Sequence, residues 1–372
     1  MSHCSVIFLL ISCLSIHSVF FALWVNRAST QESNPKRLIY YGWGIRDTQY
    51  VKDHWQEMER MPFDGTGIRV AINRSKPTIG DGTTMNQLGW QVMGQRLFRL
   101  DEFRHAIEDL KTPKWRVFSY NFFPIALSSS VSASGLNWFD EDRWAIITNN
   151  FGVLASIASK GGVKGIILDP EHYNYNLFSY QRQRQQVERS VEDYIDIARQ
   201  RGKKVMSKIA ESMPNVVILA LFGYTLPLSE LRKGISLKEA DYGLLSAFYD
   251  GLLEAMPVGA HLIDGYEFAY GFKDQKQFLK AYSQINREAI VLSTVPNQYR
   301  EKVRAGFGLM LDYRSRLDYF TPDEFQMALH HALQVSDGYV WVYAERPQFF
   351  PSSNIEASYI EAIFRARMEF GR

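Results

Sequence analysis

Gly165-Ile166-Ile167-Leu168-Asp169-Pro170-Glu171 is the stretch on which the reading of this chain turns. Three branched apolar residues after a glycine make a short strand-like run, and it ends in two carboxylates on either side of a proline. Side chains two apart along a strand point the same way, so Asp169 and Glu171 share the direction of Ile167. A short apolar run bounded by turn residues reads as a buried strand, and its neighbours decide of what kind.

The same unit recurs on both sides. Strand-like runs are read at 38–43, 67–71, 115–122, 163–171, 216–222, 261–268, 306–313 and 338–345. Helical periodicity is read at 50–61, 101–110, 140–158, 191–213, 237–255, 273–290 and 322–335, and 358–370 closes the chain. Thr48, Asp140 and Thr321-Pro322-Asp323 stand where helix caps are expected, and Gly161-Gly162, Gly259 and Gly338 where left-handed residues end helices. Alternating strands and helices of this number predict an α/β fold, a single (β/α)8 TIM barrel. A doubly wound open sheet is the rival, but Gly42-Trp43-Gly44 in the first turn lacks the dinucleotide fingerprint.

Hydrophobic residues make up 46% and charged residues 22% of the 372, the balance of a folded globular protein. A formal net charge of +2 with scattered basic residues argues against nucleic acid as a partner, because backbone binding needs a concentrated basic surface. Residues 6–25 are apolar except for Ser, Cys and His, and Asn26-Arg27-Ala28 follows them. Residues 1–28 therefore read as a signal peptide or an N-terminal anchor, leaving 29–372 for the barrel. The expected location is secreted or periplasmic, with membrane contact only through that segment if it is uncleaved. Cys4 and Cys13, the two cysteines, both fall in it, so the barrel has no thiol for a disulfide, a nucleophile or a zinc site. No His-rich ligand set, phosphate loop or Gly-x-Ser-x-Gly elbow occurs, and neither a metal nor a cofactor is expected.

In such barrels the C-terminal strand ends hold the active site. Asp169 and Glu171 lie there, with Glu267 at the sixth end, Asp312 at the seventh and Glu345 at the eighth. Carboxylates crowded at an apolar barrel mouth raise one another's pKa, and splitting a glycosidic bond needs one carboxyl that carries a proton and another that does not. Glu171, Asp169, Glu267 and Asp312 are the catalytic candidates. Aromatic residues reach 14% and gather at the same ends, where flat rings suit the apolar faces of sugars. Trp43, Tyr173, Tyr224, Tyr266, Trp341 and Tyr343 are candidates to bind a carbohydrate substrate. Arg69, Asn121 and Glu345 are candidates to hydrogen-bond its hydroxyls.

The fourth strand, ending Asp169-Pro170-Glu171, resembles the strand-four signature of family 18 chitinases, which ends in Asp-x-Glu. The resemblance implies that Glu171 is the general acid and that Asp169 positions the substrate's N-acetyl group. An earlier acidic position of that signature is Ile167 here. Gly338-Tyr339-Val340-Trp341 is similar to the strand that carries the tryptophan floor of the same family's sugar site. In the broad barrel clan of retaining glycosidases the acid follows strand four and the nucleophile strand seven, which implies Glu171 and Asp312. The expected function is thus an exported glycoside hydrolase of a poly- or oligosaccharide. A non-catalytic carbohydrate-binding barrel is one alternative. Another is a lyase or hydrolase of a small acidic or phosphorylated molecule, which would call on Arg314, Arg316 and Arg346.

Overall fold

The computed structural model describes residues 35–80, 82–129, 133–183, 185, 187–311 and 320–370. The expected leader 1–28, Asp312, Arg314 and Arg316 lie outside the described residues.

The strands are β1 (Arg37–Gly42), β2 (Gly65–Thr66), β3 (Phe122–Ser129), β4 (Gly165–Tyr173), β5 (Val217–Ala220), β6 (His261–Asp264), β7 (Val303–Met310) and β8 (Tyr339–Ala344). They form one eight-stranded sheet in the order β2-β1-β8-β7-β6-β5-β4-β3, and every ladder is parallel. The two ends of that order meet. Gly67, just past β2, bridges Phe122 at the start of β3, and the Ile68 N–H donates to the Phe122 carbonyl at 2.8 Å.

Helices fill the crossovers. α1 (Thr48–Met58) follows β1, and α2 (Leu88–Gln91) and α3 (Arg104–Lys111) follow β2. α4 (Glu141–Gly161) and α5 (Val191–Ala210) follow β3 and β4, and α6 (Thr225–Leu231) and α7 (Leu245–Ala255) follow β5. α8 (Gln275–Ser283) and α9 (Pro296–Lys302) follow β6, α10 (Pro322–Val335) follows β7, and α11 (Ala357–Arg367) follows β8. The chain is a (β/α)8 TIM barrel.

The third strand differs from its expected place, 115–122, and starts where that run ends. Trp115 and Phe118 look like strand residues because they are aromatic, yet they tie a loop down from outside the sheet. The Trp115 ring meets Trp55 of α1 at 6.0 Å and Phe118 at 5.2 Å, and Phe118 meets Phe350 at 5.7 Å. The first helix is capped one residue earlier than expected, by Asp47, whose carboxylate accepts from the Tyr50 N–H. Asp140 and Thr321 cap α4 and α10 as their sequence context predicts.

Inward positions at alternate residues fill the barrel. Ile39, Phe122, Ile167, Leu219, Ile263 and Trp341 form one buried cluster, so the interior is a packed core. β7 contributes space instead of bulk. A Cβ on Gly308 would stand 2.5 Å from the Trp341 indole, so only glycine there lets the indole lie across the barrel. The indole Nε1 donates to the Gly265 carbonyl at 2.8 Å, which satisfies its single polar atom in the core.

Arg367 at the end of α11 closes the chain onto the start of the barrel. It is 3% exposed, donates to the Pro62 carbonyl at 2.7 Å, and pairs with Asp64, which also accepts from the Leu38 N–H at 2.7 Å. Removing one partner of a buried pair leaves the other charge desolvated, so Arg367→Ala is expected to cost about 3 kcal/mol. Arg37, 3.7 Å from Asp64 and partly exposed, offsets only part of that loss. The shift of the urea midpoint at unchanged slope measures it, and a cost under about 1 kcal/mol would mean that Arg37 suffices.

Candidate active site

Pro170 shapes the end of β4. It has no N–H to give the ladder, and there the pairing with β3 slips: Ala126 faces Asp169, but the next pair is Ser128 with His172. Two residues of β3 thus span three of β4, a bulge of the kind that re-aims side chains. Asp169 and Glu171 both border the cleft at the C-terminal ends of the strands. The Asp169 Oδ1 accepts from the Glu171 N–H at 3.1 Å. The Tyr173 hydroxyl lies 2.7 Å from Asp169 Oδ2 and 2.9 Å from Glu171 Oε2. Burial and then the neighbouring Glu171 push the Asp169 carboxyl up to about 7, against hydrogen bonds from Tyr173 and the Glu171 N–H that pull it down.

Glu267 arrives by a turn. β6 ends at Asp264, a fully buried carboxylate that accepts from the N–H groups of Gly223, Thr225 and Tyr266 and from the Thr225 hydroxyl. Tyr266 then takes a left-handed conformation with φ 41°, which for a bulky side chain signals a constrained segment. The next residue, Glu267, borders the cleft. Burial first, then the charges of Glu171 and Asp169, push its carboxyl up to about 9, and a hydrogen bond from the Tyr270 hydroxyl is the weaker opposing effect. The Glu267 Oε2 is buried without a hydrogen-bond partner among the described residues. Tyr270 itself stacks on Tyr343 with ring centroids 5.5 Å apart and meets Trp341 at 5.4 Å.

The cleft these groups share encloses about 410 Å3. Tyr41, Tyr270 and Tyr343 stand on its inner side, Trp43 is half exposed at its rim, and Trp90 packs on Tyr173 at 5.3 Å. Arg69 is the one cation among its described lining residues, and it is pinned: its guanidinium donates to the Ile45 and Trp43 carbonyls at 3.0 Å each. It holds the loop that carries Trp43.

Of the residues singled out from sequence, Glu171, Asp169, Glu267, Trp43, Arg69, Tyr173, Tyr343 and Glu345 border this cleft. Four do not. Asn121 lies at the opposite, N-terminal end of β3, where its amide caps Thr66 N–H and the Phe118 carbonyl at 3.0 Å each. Tyr224 points into the helix layer and donates to Asp250 at 2.7 Å. Tyr266 turns away too, its hydroxyl on Gln284 and its ring against Phe268 and Phe307. Trp341 has the expected inward direction but lies too deep, in the barrel core beneath the tyrosines. Asp312 lies outside the described residues. Gln87 and Trp90, which sequence reasoning missed, come from the segment between β2 and α3. The length of that segment was the available signal, because long βα loops carry function in this fold.

Among the described residues, no group of three or more His, Cys, Asp and Glu side chains is arranged to hold a metal ion. No family model and no curated protein matches the chain. Among solved structures it is similar to an endocellulase from Pyrococcus horikoshii in complex with cellotetraose, at 11% identity over 90% of this chain and 92% of that one, TM-score 0.45. A broad-specificity endoglucanase from Clostridium cellulovorans gives 12% identity over 85% and 86%, TM-score 0.42. The 3-keto-D-glucoside 4-epimerase of E. coli gives 12% over 90% and 99%, TM-score 0.41. Likenesses of this size carry no information about chemistry, so the residues of the cleft have to be read on their own.

Proposed function

We propose that the cleft is the active site of a glycoside hydrolase acting on an oligo- or polysaccharide. The observation that carries this reading is a pair of carboxyl groups, Glu171 near the end of β4 and Glu267 just after β6, that face one aromatic cleft in different environments. Glu267 holds its proton at neutral pH through burial. It would give that proton to the glycosidic oxygen as the C–O bond breaks. Glu171, hydrogen-bonded by Tyr173, would supply the opposing carboxylate that stabilises or attacks the anomeric carbon, or activates a water there. This moves the role of acid from Glu171, where the family 18 resemblance puts it, to Glu267, and burial of Glu267 is the reason. Tyr41, Tyr270, Tyr343, Trp43 and Trp90 would stack on sugar faces. The apolar leader supports an exported protein.

Incubating the full chain with neutral glucans, mannans and amino-sugar polymers tests the reading, with release of new reducing ends as the expected result. Binding of a glycan without release would instead support the non-catalytic barrel.

The raised carboxyl of Glu267 also has a consequence for stability. The folded protein keeps this proton to about pH 9, while the unfolded chain releases it near 4.5. Between those values the unfolded state binds fewer protons, so stability falls as pH rises and levels off above the window. Asp169, raised from 3.8 to about 7, adds a fall of the same sign over its own range. Glu267→Gln removes the first of these. The variant's Tm is expected to match wild type near pH 4 and to exceed it near pH 8. An equal Tm difference at both pH values would contradict the raised carboxyl.

A further inference from the structure

We propose that Tyr173 is a proton-passing and positioning residue that links Asp169 to Glu171, and not a sugar platform. The inference rests on the hydrolase reading for its purpose, but its geometry is independent of any substrate. One hydroxyl stands within hydrogen-bond distance of two carboxyl groups, 2.7 Å from Asp169 Oδ2 and 2.9 Å from Glu171 Oε2. A phenol has a single hydrogen to donate. With both carboxyls ionised, one of those contacts would set oxygen against oxygen without a proton between them. A single added proton completes the chain. Either carboxyl can then donate to the tyrosine oxygen while the tyrosine hydroxyl donates to the other.

The surroundings hold that chain in place. Residues 169, 171 and 173 follow one another at alternate positions of β4, and the Glu171 N–H fixes the other oxygen of Asp169 at 3.1 Å. The Tyr173 ring is held by Trp90 at 5.3 Å. The titratable groups whose charges act on the trio include Tyr41, Tyr242, Tyr249 and Glu267, and Arg69 and Glu345 border the same cleft. Burial pushes the three tyrosine hydroxyls up, to about 12 for Tyr242 and well above the ordinary phenol range for Tyr41 and Tyr249, and Glu267 up to about 9. Near neutral pH these neighbours therefore keep their protons, and the mobile proton belongs to Asp169 and Glu171.

The step balances. As the oxygen of water bonds to the anomeric carbon, Glu171 takes the proton that this oxygen releases. The Glu171 O–H then donates its proton to the Tyr173 oxygen, and the Tyr173 hydroxyl proton passes to the Asp169 carboxylate. Glu171 is a carboxylate again, Asp169 is a neutral acid, Tyr173 is unchanged, and the trio has gained the one proton taken from water. Glu171 is thus reset without direct exchange with solvent.

Tyr173→Phe keeps the ring and its contact with Trp90 and removes only the hydroxyl. Carboxyl 13C NMR on the free, full-length protein reads the link without substrate. In wild type, the Glu171 carboxyl signal is expected to respond to the protonation of Asp169 near pH 7, and Tyr173→Phe to lose most of that response. On a cleaved glycan, kcat is expected to fall by about 10- to 100-fold with KM within about twofold, and the pH profile to shift by about one unit. A Glu171 signal that responds to Asp169 in the same way in both proteins would overturn the proposal. So would a rise in KM with kcat and the pH profile unchanged, the signature of a sugar platform. Failure of the wild type to cleave any glycan would remove the hydrolase reading and leave the NMR result to decide the proton link.

Discussion

Glu267→Gln is expected to slow hydrolysis of natural glycans by about 10^2- to 10^4-fold while affecting a dinitrophenyl glycoside far less. The difference follows from what a general acid does. A sugar hydroxyl is a poor leaving group and must be protonated as it departs, whereas dinitrophenolate leaves without a proton. Glutamine keeps the shape of the side chain and its place beside Tyr270 but has no acidic proton to give. Glu171→Gln is expected to behave differently and to slow both substrates alike, because the anomeric carbon needs its opposing carboxylate whatever the leaving group. The ratio of the two rates in each variant thus assigns the roles. If the activated substrate is largely spared by Glu171→Gln and suffers under Glu267→Gln as much as the natural one, Glu171 is the acid, as the family 18 resemblance implies.

Trp341→Ala is expected to cost about 3–5 kcal/mol of stability, the largest effect of any single change proposed for the barrel interior. The indole is completely buried, lies against Gly308 of β7 and is hydrogen-bonded to the Gly265 carbonyl. Gly308 has no side chain with which to refill the space, so the cavity would persist. Function should suffer beyond this loss. Tyr41, Tyr270 and Tyr343 all rest on the indole, with ring centroids 5.4–6.5 Å from it, and Tyr270 is the group that hydrogen-bonds Glu267. Urea unfolding gives the stability cost, and a midpoint shift corresponding to less than about 1 kcal/mol would mean that the barrel collapses onto the space.

The alternation of strands and helices was legible because parallel strands buried on both faces read as apolar runs. The carboxylates of β4 were legible because a strand has a fixed period, which placed Asp169 and Glu171 with Ile167. Direction alone does not give depth. Trp341 and Tyr343 share the inward direction on β8, but the first is core and the second borders the cleft, and only the assembled barrel separates them. The strand period also stops being a guide where the strand stops. Tyr266 follows the end of β6 in a left-handed turn, so its ring packs against the helices while Glu267 still reaches the cleft. Aromatic content misled at 115–122, where Trp115 and Phe118 anchor a loop. Gln87 and Trp90 could not be placed from periodicity at all, since they belong to a crossover.

The measurement that tests the central claim most directly is reducing-end release from a glycan panel by the full chain, wild type beside Glu171→Gln and Glu267→Gln. Release by wild type and its loss in both variants, with their folds intact by thermal melting, is the expected result. Release that survives in both variants would contradict the assignment of this cleft as the site of hydrolysis.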